Sequence, residues 1–557
     1  MDKKVMFKVS AAITLAVAAL AGCSGQNDSN AGTSSPQPTA STAVNADPNA
    51  KYDPPLEVST HFSVGASFAD KFKDEQLNTN VFAKGQLEEL GIKLTYKWIA
   101  RGDDQSFQKS SVAIASGDIP DIMVVTKEQL ATLSKTNMIN KDLAPVYDQY
   151  ASQLTKDIMH EEGDIAFDSA TFDGKLIAIP NTDSSGDLAS FLWIRMDWLQ
   201  KLNLEKPKSM DELYEVIRAF VEKDPDGNGK KDTVGLMLNK DFLSPGVGDA
   251  VGIFNGFHAY PKSWVKDESG KLVYGSVQPE MKDALAYLHR LYKDGFIEKD
   301  FGAKDSGKSA ELAGANRVGV EFGAMWNGMY PLQQTKENFP DSDWRAMPLL
   351  SNDGQPARPQ VKLNVANYYV VRKDFQNPEA LIKLLNFWTD KNWGSSKEEY
   401  DKYIGSLETG AAHLNQLRAW PSKKNMNAHL HVKEAFATGD TSKLNSEEKS
   451  YYDNIVKYKA GDMKLAQFEK VFGETGSFSV MDQYYKNNLF MMDEYYGAST
   501  ETMKNKFSTI VKTEMEYYTK VIMGSESLDG FDDFVQKLNK LGLEQITKEV
   551  NEWNENR

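Results

Sequence analysis

Residues 224–233 read Asp-Pro-Asp-Gly-Asn-Gly-Lys-Lys-Asp-Thr, an alternation that calcium chemistry uses. Asp224, Asp226, Asn228, Lys230 and Asp232 take positions one, three, five, seven and nine of an EF-hand-like loop, with Gly229 at position six for the sharp turn. Ca2+ prefers six to eight oxygens, and this spacing turns carboxylate, amide and backbone oxygens toward one point. Position seven contributes its carbonyl, so the Lys230 side chain is no obstacle. Position twelve departs from the pattern, because Gly235 stands where an EF-hand carries a bidentate glutamate. The expectation is a structural Ca2+ that pins a loop after a helix over 209–223, with water or a backbone oxygen near Thr233 completing the shell. The competing reading is an Asp/Asn/Gly-rich turn that holds no metal.

Cys23 is the only cysteine in 557 residues, and it ends the run Leu20-Ala21-Gly22-Cys23. Lys3, Lys4 and Lys8 precede an apolar stretch from Ala11 to Leu20, so residues 1–22 have the charged, apolar and small-residue regions of an export signal. That stretch is shorter than the ~20 residues a bilayer-spanning helix needs. The tetrapeptide resembles the lipobox of bacterial lipoproteins, which implies a diacylated Cys23 at the start of the mature chain and attachment to the extracellular face of the cell membrane through that lipid. Ser24 to Pro55 is a Ser/Thr/Asn/Ala/Gly/Pro tract that buries too little to order itself, so residues 23–55 read as a flexible tether.

Two hydrolase motifs are missing from the sequence: no Gly-x-Ser-x-Gly elbow and no His-Glu-x-x-His pair occurs. His429-x-His431 comes nearest to a zinc motif and lacks a third ligand. Carboxylates abound, but glycosidase chemistry needs two of them ~5–10 Å apart, which spacing along a chain does not fix. The net charge of −15 gives no electrostatic case for nucleic acid or an anionic lipid surface. A non-enzyme is expected, with a lipid-anchored glycan-degrading enzyme as the alternative.

The elements that must position these residues alternate between strand and helix. Ile92, Leu94, Tyr96 and Trp98 alternate with polar residues, a helix fits 104–116 up to Gly117, and Asp121–Val125 reads as a buried strand, which together make a βαβ unit and a parallel sheet. An earlier helical stretch carries Phe68, Phe72, Leu87 and Leu90 and stops at Gly91. Phe191–Leu199 runs from strand into helix, and Ser209-x-x-Glu212 is a capping box before Leu213, Val216, Ile217 and Phe220. Leu285, Leu288 and Leu291 form another helix, and Val318–Val320 and Val365–Val371 form strands. Pro378 opens a helix with Leu381, Leu384, Leu385 and Trp388. The last third is helical, with Asp529 capping a helix that ends at Gly542.

Several segments resemble the extracellular solute-binding proteins (family 1) of bacterial ABC importers, above all the large Gram-positive lipoproteins of oligosaccharide uptake. They are Ile114–Asp121, Trp193–Leu199, Asp224–Thr233, Val521–Gly524, Leu528–Asp532 and Glu549–Trp553. The resemblance implies an α/β, two-lobed periplasmic-binding-protein-like fold of type II, with the ligand cleft between lobes and a helix-rich C-terminal part. On that basis residues 56–180 form the first lobe, completed by roughly 366–430. Residues 181–350 form the second, and 431–557 are helical segments packing on the lobes. Hinge crossings fall near Pro180–Leu188 and Leu349–Ala366. The implied function is capture of a carbohydrate, expected to be an oligosaccharide, by lobe closure and delivery to ABC permease subunits, by a monomer that binds no nucleic acid. A peptide or another solute would suit the same fold.

A sugar site needs flat apolar faces for ring C–H groups and polar groups for hydroxyls. Trp326, in the Gly-bounded segment after a short strand, resembles a cleft aromatic of related proteins, and its neighbour Asn327 could meet a hydroxyl. Phe257, His258 and Trp264 sit in a Gly- and Pro-marked loop. Asp183 lies by the expected hinge, Arg195 supplies a positive group, and His61 follows the first strand. These are the candidate ligand contacts.

Overall fold

The computed structural model describes residues 50–64, 73–394, 396–404 and 411–557. Cys23, most of the tether and Phe68 and Phe72 of the first helical stretch lie outside the described residues.

Two sheet regions organise the chain. The first holds a two-stranded parallel sheet, Leu56–Val64 with Ile92–Arg101, and a separate three-stranded sheet in which Val365–Val371 pairs antiparallel with both Ile122–Val125 and Ile179–Thr182. Polar side chains join these two ladders. His61 Nε2 meets Val124 N at 3.1 Å, and the Ser59 hydroxyl donates to Asp121 Oδ2 at 2.6 Å. The helix Asp103–Ser116 still connects strands Ile92–Arg101 and Ile122–Val125. The ladder bonds of Ile122–Val125, however, go to an antiparallel partner from residues 365–371, so this strand lies in an antiparallel sheet and does not pair in parallel with Ile92–Arg101. Ile122, Val125, Tyr369 and Val371 close over the helix Glu379–Trp393, whose Leu381, Leu384, Leu385 and Trp388 are fully buried. Gly91 ends the preceding helical turn in the left-handed region (φ 66°), where a Cβ would collide with the Tyr52 carbonyl.

The second sheet runs Trp344–Met347, Phe191–Arg195, Val318–Gly323, Val234–Leu236. Phe191–Arg195 is antiparallel to both neighbours, and Val318–Gly323 is parallel to Val234–Leu236. One core holds the helix Met210–Glu222, which starts where Ser209 Oγ accepts from Glu212 N (3.2 Å). Leu213, Ile217 and Phe220 meet Leu192, Val320 and Phe322 there, together with the C-terminal helices Glu501–Ile522, Phe531–Leu538 and Glu544–Glu555. A separate core packs Phe191, Trp193, Val318 and Trp344 against helices Lys424–Thr438, Ser446–Lys459, Ala466–Phe472 and Ser477–Lys486. The C-terminal helices therefore belong to the second lobe. Gly530, not Asp529, caps Phe531–Leu538, because residues 528–530 form a 3-10 turn first.

Among the described residues the chain passes between the cores of the two lobes at 183–190, 348–364 and 415–424, and hydrogen bonds tie the passages together. Asn364 donates from Nδ2 to Ser184 O (3.0 Å) and from its backbone to Ser185 Oγ (3.1 Å). Trp420 N donates to Thr182 O (3.1 Å), and Thr182 Oγ1 donates back to Trp420 O (3.0 Å). Among the described residues no helix is long and apolar enough to cross a membrane.

Candidate functional site

The hinge-side end of the second sheet is built by two elements. Gly323, the last residue of its strand, pairs with Phe191, the first residue of the strand arriving from the first lobe. The next turn, Met325–Gly328, follows directly at that end of the strand, and its Trp326 is half-buried. Asn327 is different: it is fully buried, with Nδ2 donating to Glu321 Oε1 (3.1 Å) and Gly246 O (3.3 Å). It supports the turn that carries Trp326 and does not itself present a free amide to solvent.

The other expected contacts separate in the same way. Phe257 packs against Tyr287 with centroids 5.4 Å apart, and His258 Nε2 lies 3.1 Å from Asp353 Oδ1. Trp264 is 3% exposed, wedged against Tyr274 (5.3 Å) and Tyr495 (6.2 Å), and is part of the core. Arg195 is 2% exposed and fully engaged. Its Nε and Nη2 bind Asp197 at 2.9 and 2.6 Å, Nη1 binds Asn316 at 2.5 Å, and the guanidinium lies 4.3 Å from the Trp198 ring centroid. That charge holds the strand-to-helix junction together rather than facing a ligand. His61 is buried between strands, and burial lowers its pKa to about 4, so it stays neutral. His429 and His431 do not converge: one meets Phe472 O (3.0 Å), the other Glu448 Oε1 (2.8 Å).

Asp183 stands on the first passage, its Oδ1 accepting from Ser184 N at 2.7 Å. Burial raises its pKa while Arg418 and Lys424 pull it down. Four residues on, Asp187 Oδ2 accepts from Asn425 Nδ2 (2.7 Å), and burial pushes its carboxyl up to about 6. Glu162 Oε1 accepts from Ser185 N (3.2 Å) and is raised by burial. The passage is therefore lined with acids whose charge is costly. A crevice of about 1070 Å³ lies nearby between Lys127, Thr132 and Phe172 of the first lobe and Tyr495, Tyr496 and Trp553 of the C-terminal segments. It contains none of the contacts expected from sequence, and the Tyr495, Tyr496 and Trp553 wall lies more than 300 positions away in sequence from the first-lobe side.

In the acidic loop Gly229 N donates to Asp224 Oδ2 (2.9 Å) and Lys230 N to Asn228 Oδ1 (2.7 Å). Asn228 Nδ2 bridges Asp226 Oδ2 (2.7 Å) and Asp232 Oδ1 (3.0 Å), and Arg317 Nε lies 3.3 Å from Asp232 Oδ2. Partial burial and then Asp224 push Asp226 up to about 6, while the interaction with Asp226 holds Asp224 low. Asp224 Oδ1 is buried without a partner. Among the described residues no three acidic or histidine side chains converge as they stand to hold a metal. The donor chemistry nonetheless suits a hard cation, since Asp224 Oδ1 is an unpartnered buried oxygen and only an amide bridges the Asp226 and Asp232 carboxylates.

Comparison with known proteins identifies the family. The family model of bacterial extracellular solute-binding proteins matches residues 64–393, and the chain belongs to that family. The polygalacturonan/rhamnogalacturonan-binding protein YtcQ of Bacillus subtilis is 30% identical over 241 residues, 43% of this chain and 46% of YtcQ. The fructooligosaccharide ABC transporter substrate-binding protein FusA of Streptococcus pneumoniae is 27% identical over 235 residues, 39% of this chain and 41% of FusA. A solved FusA EF-hand mutant in complex with fructo-nystose superposes with a TM-score of 0.52 at 15% identity, over 90% of this chain and 100% of that one. An HMO-binding, ABC-transporter-associated solute-binding protein from Bifidobacterium longum infantis gives a TM-score of 0.61 at 17% identity, over 90% and 98% of the two chains. The matched stretch spans under half the length of these curated relatives, while the shared fold, two lobes included, extends over nine-tenths of this chain.

Proposed function

We propose that this protein is a lipid-anchored extracellular receptor that captures an oligosaccharide between its two lobes and delivers it to an ABC permease. The observation that carries this reading is the pair of separately packed α/β cores tied by these chain passages, in a chain of the solute-binding family. The names of its relatives supply the ligand class, since all three bind carbohydrate. Trp326 offers an aromatic face at the hinge-side end of the second lobe, and Asp183 offers a hydroxyl acceptor on the 183–190 passage. A ligand that touches both lobes adds contacts only in the closed state, so it raises the closed population. The protein acts as a monomer and performs no chemistry on its ligand. Cys23 carries the anchor.

Residues 224–232 hold a structural Ca2+ in this reading. Asp224, Asp226, Asn228, the Lys230 carbonyl and Asp232 would ligate it, with the ion taking over the charge balance between Asp226 and Asp232 that the Asn228 amide now supplies. Bound ion would fix the link between the helix Met210–Glu222 and the strand Val234–Leu236.

The test is a thermal-shift screen of the purified mature protein against pectic, fructo- and human-milk-type oligosaccharides, with peptides as a control arm. Stabilisation follows RT ln(1 + [L]/Kd), so a ligand at 100-fold its Kd adds about 2.7 kcal/mol. A saccharide hit is expected. A hit confined to peptides, or turnover of a glycan by the pure protein, would overturn the assignment.

A further inference from the structure

The strand Val318–Gly323 reads Val-Gly-Val-Glu-Phe-Gly and is buried at every position, which leaves a carboxyl, Glu321, inside an apolar strand. Its exposure is 0%. Asn327, also at 0%, gives one Nδ2 hydrogen to Glu321 Oε1 (3.1 Å) and the other to Gly246 O (3.3 Å). Both amide hydrogens are then used. Two atoms of the pair remain buried without a partner, Glu321 Oε2 and Asn327 Oδ1. Both are acceptors, and they sit on side chains already joined by one hydrogen bond, so what the pair lacks is a hydrogen. Among the described residues no cation supplies it. The acidic group that faces Glu321 is Asp249, fully buried on the neighbouring loop, whose oxygens accept from Gly246 N (2.8 Å) and Val251 N (2.9 Å) and whose carboxyl burial pushes up to about 7. Two ionised carboxylates buried there together would be uncompensated and very costly.

We propose that Glu321 is a carboxylic acid in the working protein, with Oε2–H donating to Asn327 Oδ1 so that acid and amide close a ring of two hydrogen bonds. Glu321 is then a positioning residue: the ring, with the Asn327–Gly246 bond, clamps the turn that carries Trp326 to the 244–250 loop. Burial, and then the Asp249 charge, push the Glu321 carboxyl well above the usual carboxylate range, which agrees with the geometry. Gly323 lets the parts approach, because a Cβ there would run into the Asn327 amide and the Gly246 carbonyl. That Trp326 meets a sugar rests on the function proposed above; the proton on Glu321 does not, and it is tested without ligand.

The experiment compares wild type with Glu321→Gln, which keeps one donor and one acceptor in the same shape. In infrared difference spectra at neutral pH, wild type minus E321Q should show a protonated-carboxyl C=O band. Unfolded Glu321 ionises above about pH 4.5 while the folded group does not, so the wild-type folding equilibrium should fall about tenfold per pH unit relative to E321Q until the folded group ionises. Amide exchange in residues 244–250 and 325–328 should speed up in Glu321→Ala and not in E321Q. A difference spectrum without the acid band, or E321Q less stable than wild type at neutral pH by a pH-independent margin, would overturn the proposal and show an ionised Glu321 matched by a bound cation. Should E321Q not fold, Asn327→Leu removes the acceptor and keeps the acid, and its C=O band must move toward that of a free carboxylic acid; an unmoved band overturns the ring.

Discussion

Trp264 and Trp326 look alike in sequence as loop tryptophans near glycines, and the structure gives them opposite roles that truncation to alanine separates. Trp264 is 3% exposed and anchored on both sides, its N–H donating to Asp493 Oδ1 (3.0 Å) and its carbonyl accepting from Glu494 N (3.0 Å). Its ring meets Tyr274 across a two-stranded ladder in which the two residues are direct partners. Removing a buried tryptophan of this kind costs about 3–5 kcal/mol, the lost transfer energy plus the cavity left behind. Spread over a lobe of ordinary size, that loss lowers Tm by about 6–20 °C. Trp326 is half-buried and ends no packed layer, so Trp326→Ala should cost about 1–2 kcal/mol of stability. Its loss should instead appear as tenfold or weaker affinity for the saccharide, as expected for an aromatic anchor. The assays are differential scanning calorimetry of both variants and calorimetric titration with the ligand found by thermal shift. A W264A variant with unchanged Tm and lost binding would refute the placement of Trp264. A W326A variant that binds like wild type would refute the placement of Trp326.

Other expectations follow from the same geometry. Glu514, fully buried, accepts from Ser276 Oγ (2.9 Å) and Tyr274 OH (3.1 Å), and burial pushes it up to about 7. The raised folded value means that its share of stability is intact below about pH 4.5 and is lost as pH climbs through 7. Glu514→Gln should therefore gain on wild type by up to about 3 kcal/mol across that interval in urea melts at several pH values; a gap that does not change with pH would count against it. Millimolar Ca2+ should raise Tm in wild type but not in Asp224→Ala/Asp226→Ala, and Mg2+ should do less because it demands stricter octahedral geometry; equal shifts in both proteins would show that the ion binds elsewhere. A Cys23→Ala precursor should be found unprocessed or released rather than lipid-labelled, read by metabolic labelling with a fatty acid and cell fractionation.

Much of the fold was legible because single-element periodicity decides it. Leu213, Val216, Ile217 and Phe220 could form only one helix face, and Ser209 announced where it began. The helix Asp103–Ser116 and its stop at Gly117 followed from the same rules. What sequence did not reveal lives in pairings between distant segments. The strand Ile122–Val125 looked like half of a parallel unit, but its partner is chosen by residues 365–371, some 240 positions later. The same limit governed the site. A tryptophan's loop position does not say which way its ring points, so Trp264 and Trp326 could not be separated. Arg195 looked available until Asp197, two residues on, proved to take both its Nε and its Nη2. Asp187 and the Tyr495–Tyr496–Trp553 wall were missed for want of any local signal. Glu321 was visible all along as the one charge in Val-Gly-Val-Glu-Phe-Gly, and such a break in an apolar strand could have been weighed as a buried acid.

The central claim is that two lobes close on a sugar. Small-angle X-ray scattering of the monomer, with and without the saccharide identified by thermal shift, measures it directly. The account predicts a smaller radius of gyration at saturation and no change with a non-binding sugar at the same concentration. An unchanged scattering curve at a ligand concentration that fully raises Tm would contradict it.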